Sequence, residues 1–323
     1  MLRRLRPYLS PPSADLIIAA PDDDAAVWRS RRGLTVSTVD TLVEGIDFRT
    51  SWRGFDFAAL GRRLMTINLS DLAAMGAEPR HALISLCLRR NLPVSSVTAL
   101  YRGIRAQARR YGFTVAGGDL SEIDGPLVLS ATLFGEIRHG RPMSRGGARP
   151  GWHLAVTGTV GKAAAGLELL EARRLPRTAS ERRLIRALLD PVPRLRAGQI
   201  LRESGIRVAG DISDGVTTEV ARIAEASNVG AVIIEAGLPI DRGMRARHGN
   251  RKSWQLALGG SEDFELICAA PSSRMTAAAS TLFSETGLRL WRVGLITEKR
   301  EVLRLDDRGR YFRVRRIGYE HFR

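Results

Sequence analysis

Hydrophobic and polar positions alternate along the chain in a way that predicts two stretches of mixed strands and helices. The first stretch has the order strand, helix, strand, helix, strand, strand, which is typical of a split βαβ, ferredoxin-like domain of the α+β class. The predicted elements are the strand 34–43, the helix 57–77 ending at Gly76, the strand 81–88, the helix 94–111 and the strands 113–118 and 126–137. Residues 1–32 read as a loop.

The second stretch repeats the alternation after a segment rich in Gly, Pro and Arg at 140–152. This segment predicts a boundary between a first domain, 1–148, and a second α+β domain, 149–323. The predicted elements of the second domain are strand 153–159, helices 160–173 and 179–204, a short strand before Gly210, helix 215–227, strands 231–236 and 263–270, helix 272–286, strand 288–296 and a terminal hairpin.

Composition narrows the class of protein. Lys plus Arg is 50 and Asp plus Glu is 34, which gives a net charge of +16. The arginines are scattered, often in pairs such as Arg62-Arg63, and aromatic residues make up only 6%. We therefore interpret the charge as compositional and expect no nucleic-acid partner. Two cysteines in apolar runs and no apolar stretch of about 18 residues favour a cytoplasmic protein without a disulfide framework or a membrane span.

Acidic residues recur beside glycine and small residues in segments that otherwise look buried. Asp71 is the clearest case, because its neighbours in a predicted helix are Leu, Ala and Met, where an unpaired carboxylate is costly. Oxygen ligands of this kind, with few histidines, favour a hard cation such as Mg²⁺. In a basic protein they suggest a metal-bridged polyphosphate, although no P-loop is present.

Several short motifs occur in one order from about residue 20 to residue 322. They include NLSDLAAMGA (68–77), AGGD (116–119), DISDG (211–215), SEDFEL (261–266) and GYEHF (318–322). In order and spacing they resemble the thiamine-monophosphate kinase family, part of the aminoimidazole-ribonucleotide synthetase-like superfamily. The resemblance implies two α+β domains, a homodimer formed through the first domain, and Mg²⁺-dependent phosphoryl transfer from ATP to thiamine monophosphate without a covalent enzyme intermediate.

The resemblance also implies roles for individual residues. The matching metal positions are Asp23, Thr38, Asp40, Asp71, Asp119, Asp211 and Asp214. The nucleotide positions are Gly118, Asp119, Arg145 and Ser213, and the substrate positions are Asp47, Glu262 and Tyr319. Catalysis is assigned to Asp71, Asp119 and Asp214.

The chain departs from the family pattern at several of these motifs. Val39 and Leu120 stand where the family has threonine, Asp47 where it has histidine, and Ser261 where it has glycine. These departures leave open a divergent paralogue that binds ATP or another phosphorylated small molecule, with or without catalysis. A different ATP-dependent synthetase of the superfamily and a basic nucleic-acid binder are weaker alternatives.

Overall fold

The computed structural model of the protein describes residues 16–18, 26–30, 33–173, 175–260 and 262–314. The strands are β1 Leu16–Ile18, β2 Ala26–Ser30, β3 Gly33–Val43, β4 Glu78–Leu88, β5 Thr114–Glu122, β6 Val128–Ile137, β7 His153–Thr157, β8 Val208–Asp211, β9 Gly230–Ile234, β10 Leu266–Ala270, β11 Leu290–Thr297, β12 Val302–Leu305 and β13 Tyr311–Arg313. The helices are α1 Phe57–Met75, α2 Val94–Tyr111, α3 Lys162–Glu171, α4 Ala179–Leu189, α5 Leu195–Glu203, α6 Val216–Ser227, α7 Arg242–Gly259 and α8 Ser272–Thr286, with a 3₁₀ turn at Glu235–Gly237.

The first sheet has the strand order β1-β2-β3-β6-β4-β5, and only β4 and β5 run parallel among its neighbouring pairs. Buried and less buried positions alternate strictly along β6, so that Leu129, Ala131 and Leu133 face the core. Helix α1 packs against this face. The opposite face carries Val39 and Leu83, whose exposed fractions are 60% and 41%.

The second sheet has the order β13-β12-β9-β11-β7-β10-β8, and its β12–β9 pair is parallel. Helix α1 also contacts β8 and α5 of this second unit, so one hydrophobic core runs from the first sheet through α1 into the second. A Cβ atom at Gly198 of α5 would lie 1.9 Å from the carbonyl oxygen of Ala73. A glycine is therefore needed where the two helix backbones meet.

Three sequence-based assignments were wrong. The segment 1–32 contains the strands β1 and β2 and is not only loop. The helix at 179–204 is two helices, because Pro191 and Pro193 interrupt it between α4 and α5. Helix α7 was missed because its sequence is polar and contains internal glycines; at Gly249 the backbone leaves the helical conformation. In the part of the chain that the structure describes, no helix is both long and apolar enough to cross a membrane.

Candidate functional site

The second half of α1 carries two consecutive polar residues, Ser70 and Asp71, among residues that are mostly apolar and buried. The hydroxyl of Thr38, on β3, donates to Asp71 Oδ2 at 2.5 Å. The hydroxyl of Ser70 donates to Oδ2 of Asp211, at the end of β8, at 2.8 Å. One turn of α1 therefore contacts polar groups of both sheets.

Asp40 lies on the same face of β3 as Thr38, because side chains two apart in a strand point to the same side. Burial raises the pKa of Asp40, a hydrogen bond with Asp71 opposes this effect, and the charges of Asp214 and Asp47 raise the pKa further. These acidic side chains are thus close enough to interact, although Asp40 belongs to the first sheet and Asp214 follows β8 of the second sheet. Asp47 is held in its turn by the backbone N–H of Val43, which donates to its Oδ2 at 2.7 Å.

Asp211 is fully buried, and burial together with the charge of Glu219 raises its pKa to about 7. The hydroxyl of Ser70 and the charge of Arg145 favour the ionised form, while the charge of Asp40 disfavours it. Gly210 makes this arrangement possible, since a Cβ atom there would lie 2.0 Å from Glu219 Oε1. The site therefore crowds negative charge into a poorly hydrated space.

Two arginines border the carboxylates. Arg145 donates from Nε and Nη2 to the two oxygens of the buried Glu219, at 2.6 and 3.2 Å. Arg222 donates to Asp214 Oδ2 at 2.7 Å. Glu219 therefore orients Arg145 beside Asp211, at the position that the resemblance assigns to nucleotide binding.

Glu262 lies in the segment 262–265, next to the Asp211–Asp214 loop. Its backbone N–H donates to the carbonyl of Ser213 at 2.7 Å, and its carboxylate accepts from Arg63 of α1. Glu262 also lines a cavity of about 280 Å³ together with apolar residues of α3, α4 and α7. The cavity walls include Ala163, Ala164, Leu167, Leu188 and Leu256.

The structure does not bring Asp119 to this group of carboxylates within one chain, which corrects the expectation that it converges with them. Asp119 pairs with Ser85, and Ser85 and Thr41 both pair with Ser130. Paired residues share a face, and Thr41 is adjacent to Asp40, so Asp119 stands on the face opposite to Asp40. It is exposed and accepts a hydrogen bond from Ser121 at 2.8 Å.

Gly118 lies on the edge strand β5, in the cross-strand row that runs from Asp40 through Ala131 and Ile84. Three strand spacings separate Gly118 from Asp40, which corresponds to about 14 Å. A Cβ atom at Gly118 would lie 1.8 Å from the carbonyl oxygen of Ile84. Close packing of β5 against β4 therefore requires a glycine at this position, independently of any role in nucleotide binding.

Two predicted site residues, Asp23 and Tyr319, lie outside the described residues, as does Ser261. Sequence reasoning missed Ser70, Glu219 and Arg63, which contact predicted site residues directly. Ser70 lies within the NLSDLAAMGA motif and could have been noticed there. Nothing in the local sequence pairs Glu219 with Arg145 or Arg63 with Glu262, because the members of each pair are distant along the chain.

Within the described residues, no three His, Cys, Asp or Glu side chains are grouped tightly enough to enclose a metal ion as they stand. The donor chemistry nevertheless fits a hard divalent cation. Asp40 and Asp211 are carboxylates whose pKa values are raised by burial and by the charges of neighbouring acidic side chains. A bound cation would relieve both effects, and oxygen donors are those that Mg²⁺ prefers.

Family comparisons cover most of the chain. The family profile described as "AIR synthase related protein, N-terminal domain" matches residues 22–137, and the corresponding C-terminal domain profile matches residues 149–306. Thiamine-monophosphate kinase of Bacillus subtilis (strain 168) is 32% identical over 307 residues, covering 93% of this chain and 92% of the relative. The enzyme of the same name from Escherichia coli (strain K12) is 32% identical over 303 residues, covering 93% and 90%.

Solved structures give the same result. AaThiL complexed with AMPPCP and TMP superposes with a TM-score of 0.82 at 29% identity, covering 93% of this chain and 91% of that one. Thiamine-monophosphate kinase from Stenotrophomonas maltophilia K279a has a TM-score of 0.78 at 31% identity and 93% coverage of both chains. The fold and the two profiles define an AIR synthase related protein. Within that class, the chain belongs to the thiamine-monophosphate kinase family.

Proposed function

We propose that this protein transfers the γ-phosphoryl group of ATP to thiamine monophosphate and forms thiamine diphosphate and ADP. The observation that carries the proposal is the group of buried and half-buried carboxylates from both sheets around Ser70 and Asp71, in a family whose member AaThiL was solved with AMPPCP and TMP. The departures at Val39 and Asp47 leave this group of carboxylates in place.

The chemistry needs no covalent enzyme intermediate. A phosphate oxygen of thiamine monophosphate, ionised at neutral pH, attacks the γ-phosphorus, and the bond to the β-phosphate oxygen breaks so that ADP leaves. Because the nucleophile is already an anion, no general base is required. Catalysis in such a transfer consists mainly of positioning and charge neutralisation.

We assign the cation to Asp40, Asp71, Asp211 and Asp214, with Thr38 as a neighbouring hydroxyl and Asp23 as a predicted further ligand. Bound Mg²⁺ would neutralise the polyphosphate and allow these carboxylates to ionise together. Arg145, oriented by Glu219, is suited to the nucleotide phosphates, and Ser213 and Gly118 remain predicted nucleotide positions. Asp119 would contribute to cation or nucleotide binding only if another part of the assembly reaches the outer face of the first sheet.

At the other end of the substrate, Glu262 is suited to the positively charged thiazolium and aminopyrimidine groups, and its cavity is suited to their apolar edges. Tyr319 is predicted to stack on the same rings, with a cation–π contribution. Asp47 lies near Asp40 and adds negative charge to the cleft.

We further infer that the protein works as a homodimer in the cytoplasm. The exposed Val39 and Leu83 lie on the outer face of the first sheet, two strands apart, and both pair with Thr132 of β6 between them. A second copy of this face would bury them.

The direct test is to incubate the purified protein with ATP, Mg²⁺ and thiamine monophosphate and to follow thiamine diphosphate and ADP by chromatography. Equal amounts of the two products are expected, with no product when EDTA replaces Mg²⁺. Unphosphorylated thiamine is the control acceptor and should remain unchanged. ATP and Mg²⁺ binding without any thiamine diphosphate would instead favour a paralogue with another ligand.

A further inference from the structure

Helix α1 carries two neighbouring arginines, Arg62 and Arg63, in its second turn, and they reach different parts of the second unit. Arg62 donates from Nε and Nη2 to the two oxygens of Asp190, at 2.8 and 3.0 Å. Arg63 donates from Nη2 to Oε1 of Glu262. The two pairs differ in burial, because the Arg62 side chain is 29% exposed and the Arg63 side chain only 1%.

The burial of Arg63 needs an explanation. A buried guanidinium is costly unless it is paired, and an apolar side chain would serve equally well in packing α1. Among the residues that the structure describes, Arg63 Nε has no hydrogen-bond acceptor, so the contact with Glu262 is not part of a saturated network there. We therefore attribute the presence of a charged residue at position 63 to its ion pair with Glu262.

Glu262 is held in an unusual conformation. Its φ angle is +66°, in the left-handed region that a side chain with a Cβ atom adopts at a cost of about 1 kcal/mol. The residues that follow are anchored separately: Asp263 accepts from the N–H groups of Gly161 and Ala163, and Glu265 accepts from Arg194. The segment is thus fixed by its own unit, whereas the Glu262 side chain is fixed by α1.

The two oxygens of Glu262 are used differently. Oε1 accepts from Arg63, while Oε2 has no hydrogen-bond partner among the described residues. The side chain is 24% exposed and lines the cavity bounded by Leu167 and Leu256. The ion pair with Arg63 therefore fixes the orientation of the Glu262 carboxylate through Oε1 and leaves Oε2 available to a ligand.

We propose that Arg63 is a positioning residue that holds Glu262 for binding the cationic, amino-bearing ring end of the acceptor substrate; this proposal rests on the proposed phosphorylation of thiamine monophosphate. Arg63 binds Oε1, and Oε2 accepts from the substrate or faces its positive ring. Because Arg63 belongs to the first unit and Glu262 to the second, the substrate-binding site requires both units. ATP binding does not depend on this contact.

The test compares Arg63→Met with Arg62→Met. Each variant removes one guanidinium from the same helix and one ion pair to the second unit. Arg63→Met is expected to raise KM for thiamine monophosphate at least tenfold while KM for ATP changes less than twofold. Arg62→Met should leave both KM values within twofold of wild type. Arg63→Lys should recover part of the loss, because an ammonium can donate to Oε1.

A double-substitution cycle separates positioning from a general structural effect. If Arg63 acts through Glu262, Arg63→Met should add nothing to the KM of Glu262→Gln. Additive effects, or equal changes in both KM values, would overturn the proposal. If Arg63→Met does not fold, Arg63→Gln and Arg63→Lys carry the same comparison.

Calorimetric binding of thiamine monophosphate without ATP distinguishes this proposal from the proposed function. A wild-type protein that neither binds nor phosphorylates thiamine monophosphate contradicts the function. A wild-type protein that does both, with unchanged affinity in Arg63→Met, contradicts only the positioning role.

Discussion

At the scale of single residues, the buried and half-buried carboxylates of this protein differ in the groups that donate hydrogen bonds to them. Asp71 accepts from Thr38, Asp211 accepts from Ser70, and Asp263 accepts from two backbone N–H groups at the start of α3. The first two lie where we assign a cation, whereas Asp263 caps a helix. Residues of the same type therefore have different functions because their neighbours differ.

Asp71→Asn should abolish phosphoryl transfer and preserve the fold. The amide can still accept the Thr38 hydroxyl but lacks the charge that a cation between two phosphates requires. The expected loss of kcat is on the order of 10²-fold or more. Activity with thiamine monophosphate is measured alongside thermal unfolding. Wild-type activity in the folded variant would remove Asp71 from the mechanism, and collapse of the fold would make it a structural residue.

Asp263→Asn should change how stability depends on pH. Burial raises the pKa of Asp263 from 3.8 to about 6, although the Gly161 and Ala163 N–H groups oppose the rise. The folded state therefore keeps a proton that the unfolded chain releases first. The stabilisation is complete below the unfolded pKa and is lost as pH rises to the folded pKa, by up to about 1.4 kcal/mol per pH unit.

The Asn variant lacks this dependence, so the difference in unfolding free energy, wild type minus variant, should fall between about pH 4 and pH 6 and stay level above. Denaturant unfolding in Mg²⁺-free buffer measures it. Asp306→Asn is the control: desolvation raises the pKa of Asp306, but the hydrogen bonds from Arg310 and Arg308 together outweigh it and lower the pKa overall. Its difference from wild type should not vary in this window, and parallel curves for both variants would refute the assignment.

At the scale of elements, α1 is the central piece, because it packs on the first sheet, on β8 and on α5. Its middle presents Ser70 and Asp71 to the carboxylates, and its first turns send Arg62 and Arg63 to the second unit. The edge strand β5 is the opposite case. It is held by one neighbour, β4, and its backbone must approach that neighbour closely at Gly118.

Gly118→Ala should disturb β5 because the new methyl group would lie 1.8 Å from the Ile84 carbonyl oxygen. We expect a loss of unfolding free energy of roughly 1–3 kcal/mol and weaker ATP binding. Gly117→Ala is a matched control, since its nearest non-neighbouring atom would be 3.9 Å away. Denaturant unfolding and calorimetric ATP titration measure the two effects. Equal behaviour of both variants would show that close packing at Gly118 does not matter.

At the scale of the whole molecule, two sheets share one core, and the candidate site lies where α1 joins them. No element of the part of the chain that the structure describes covers the outer face of the first sheet, where Val39 is 60% exposed. Asp119 stands on this face together with Val39 and Leu83, so whatever covers it also surrounds Asp119. The division at residues 148 and 149 stays a prediction, as do the roles of Asp23 and Tyr319.

Val39→Glu should convert the proposed dimer to monomers, because a twofold interface receives the new charge twice. Val94→Glu is the control, since Val94 is 80% exposed at the start of α2, away from this face. Sedimentation velocity of the wild type and both variants measures the effect. A wild type that sediments as a monomer at micromolar concentration would contradict the dimer directly.

The sequence by itself was sufficient for features that depend on local pattern or on whole motifs. Helices 94–111 and 272–286 have the predicted bounds because periodicity, proline and glycine act locally. The α+β class was predicted from the order of strands and helices and the kinase family from motifs, and the comparisons confirm both. Asp71 could be singled out because a carboxylate among apolar helix residues is visible without a structure.

Only the tertiary structure decided which side chains meet. Arg63 and Glu262 are 199 residues apart, and their pairing depends on how α1 docks on the second sheet. Asp119 belongs to a motif that resembles a metal position, yet strand register puts it on the opposite face from Asp40. Periodicity states that a residue faces inward or outward, but the register of distant strands selects its neighbours. The sequence motifs therefore predicted which residues form the site, and tertiary packing determined which of them contact one another.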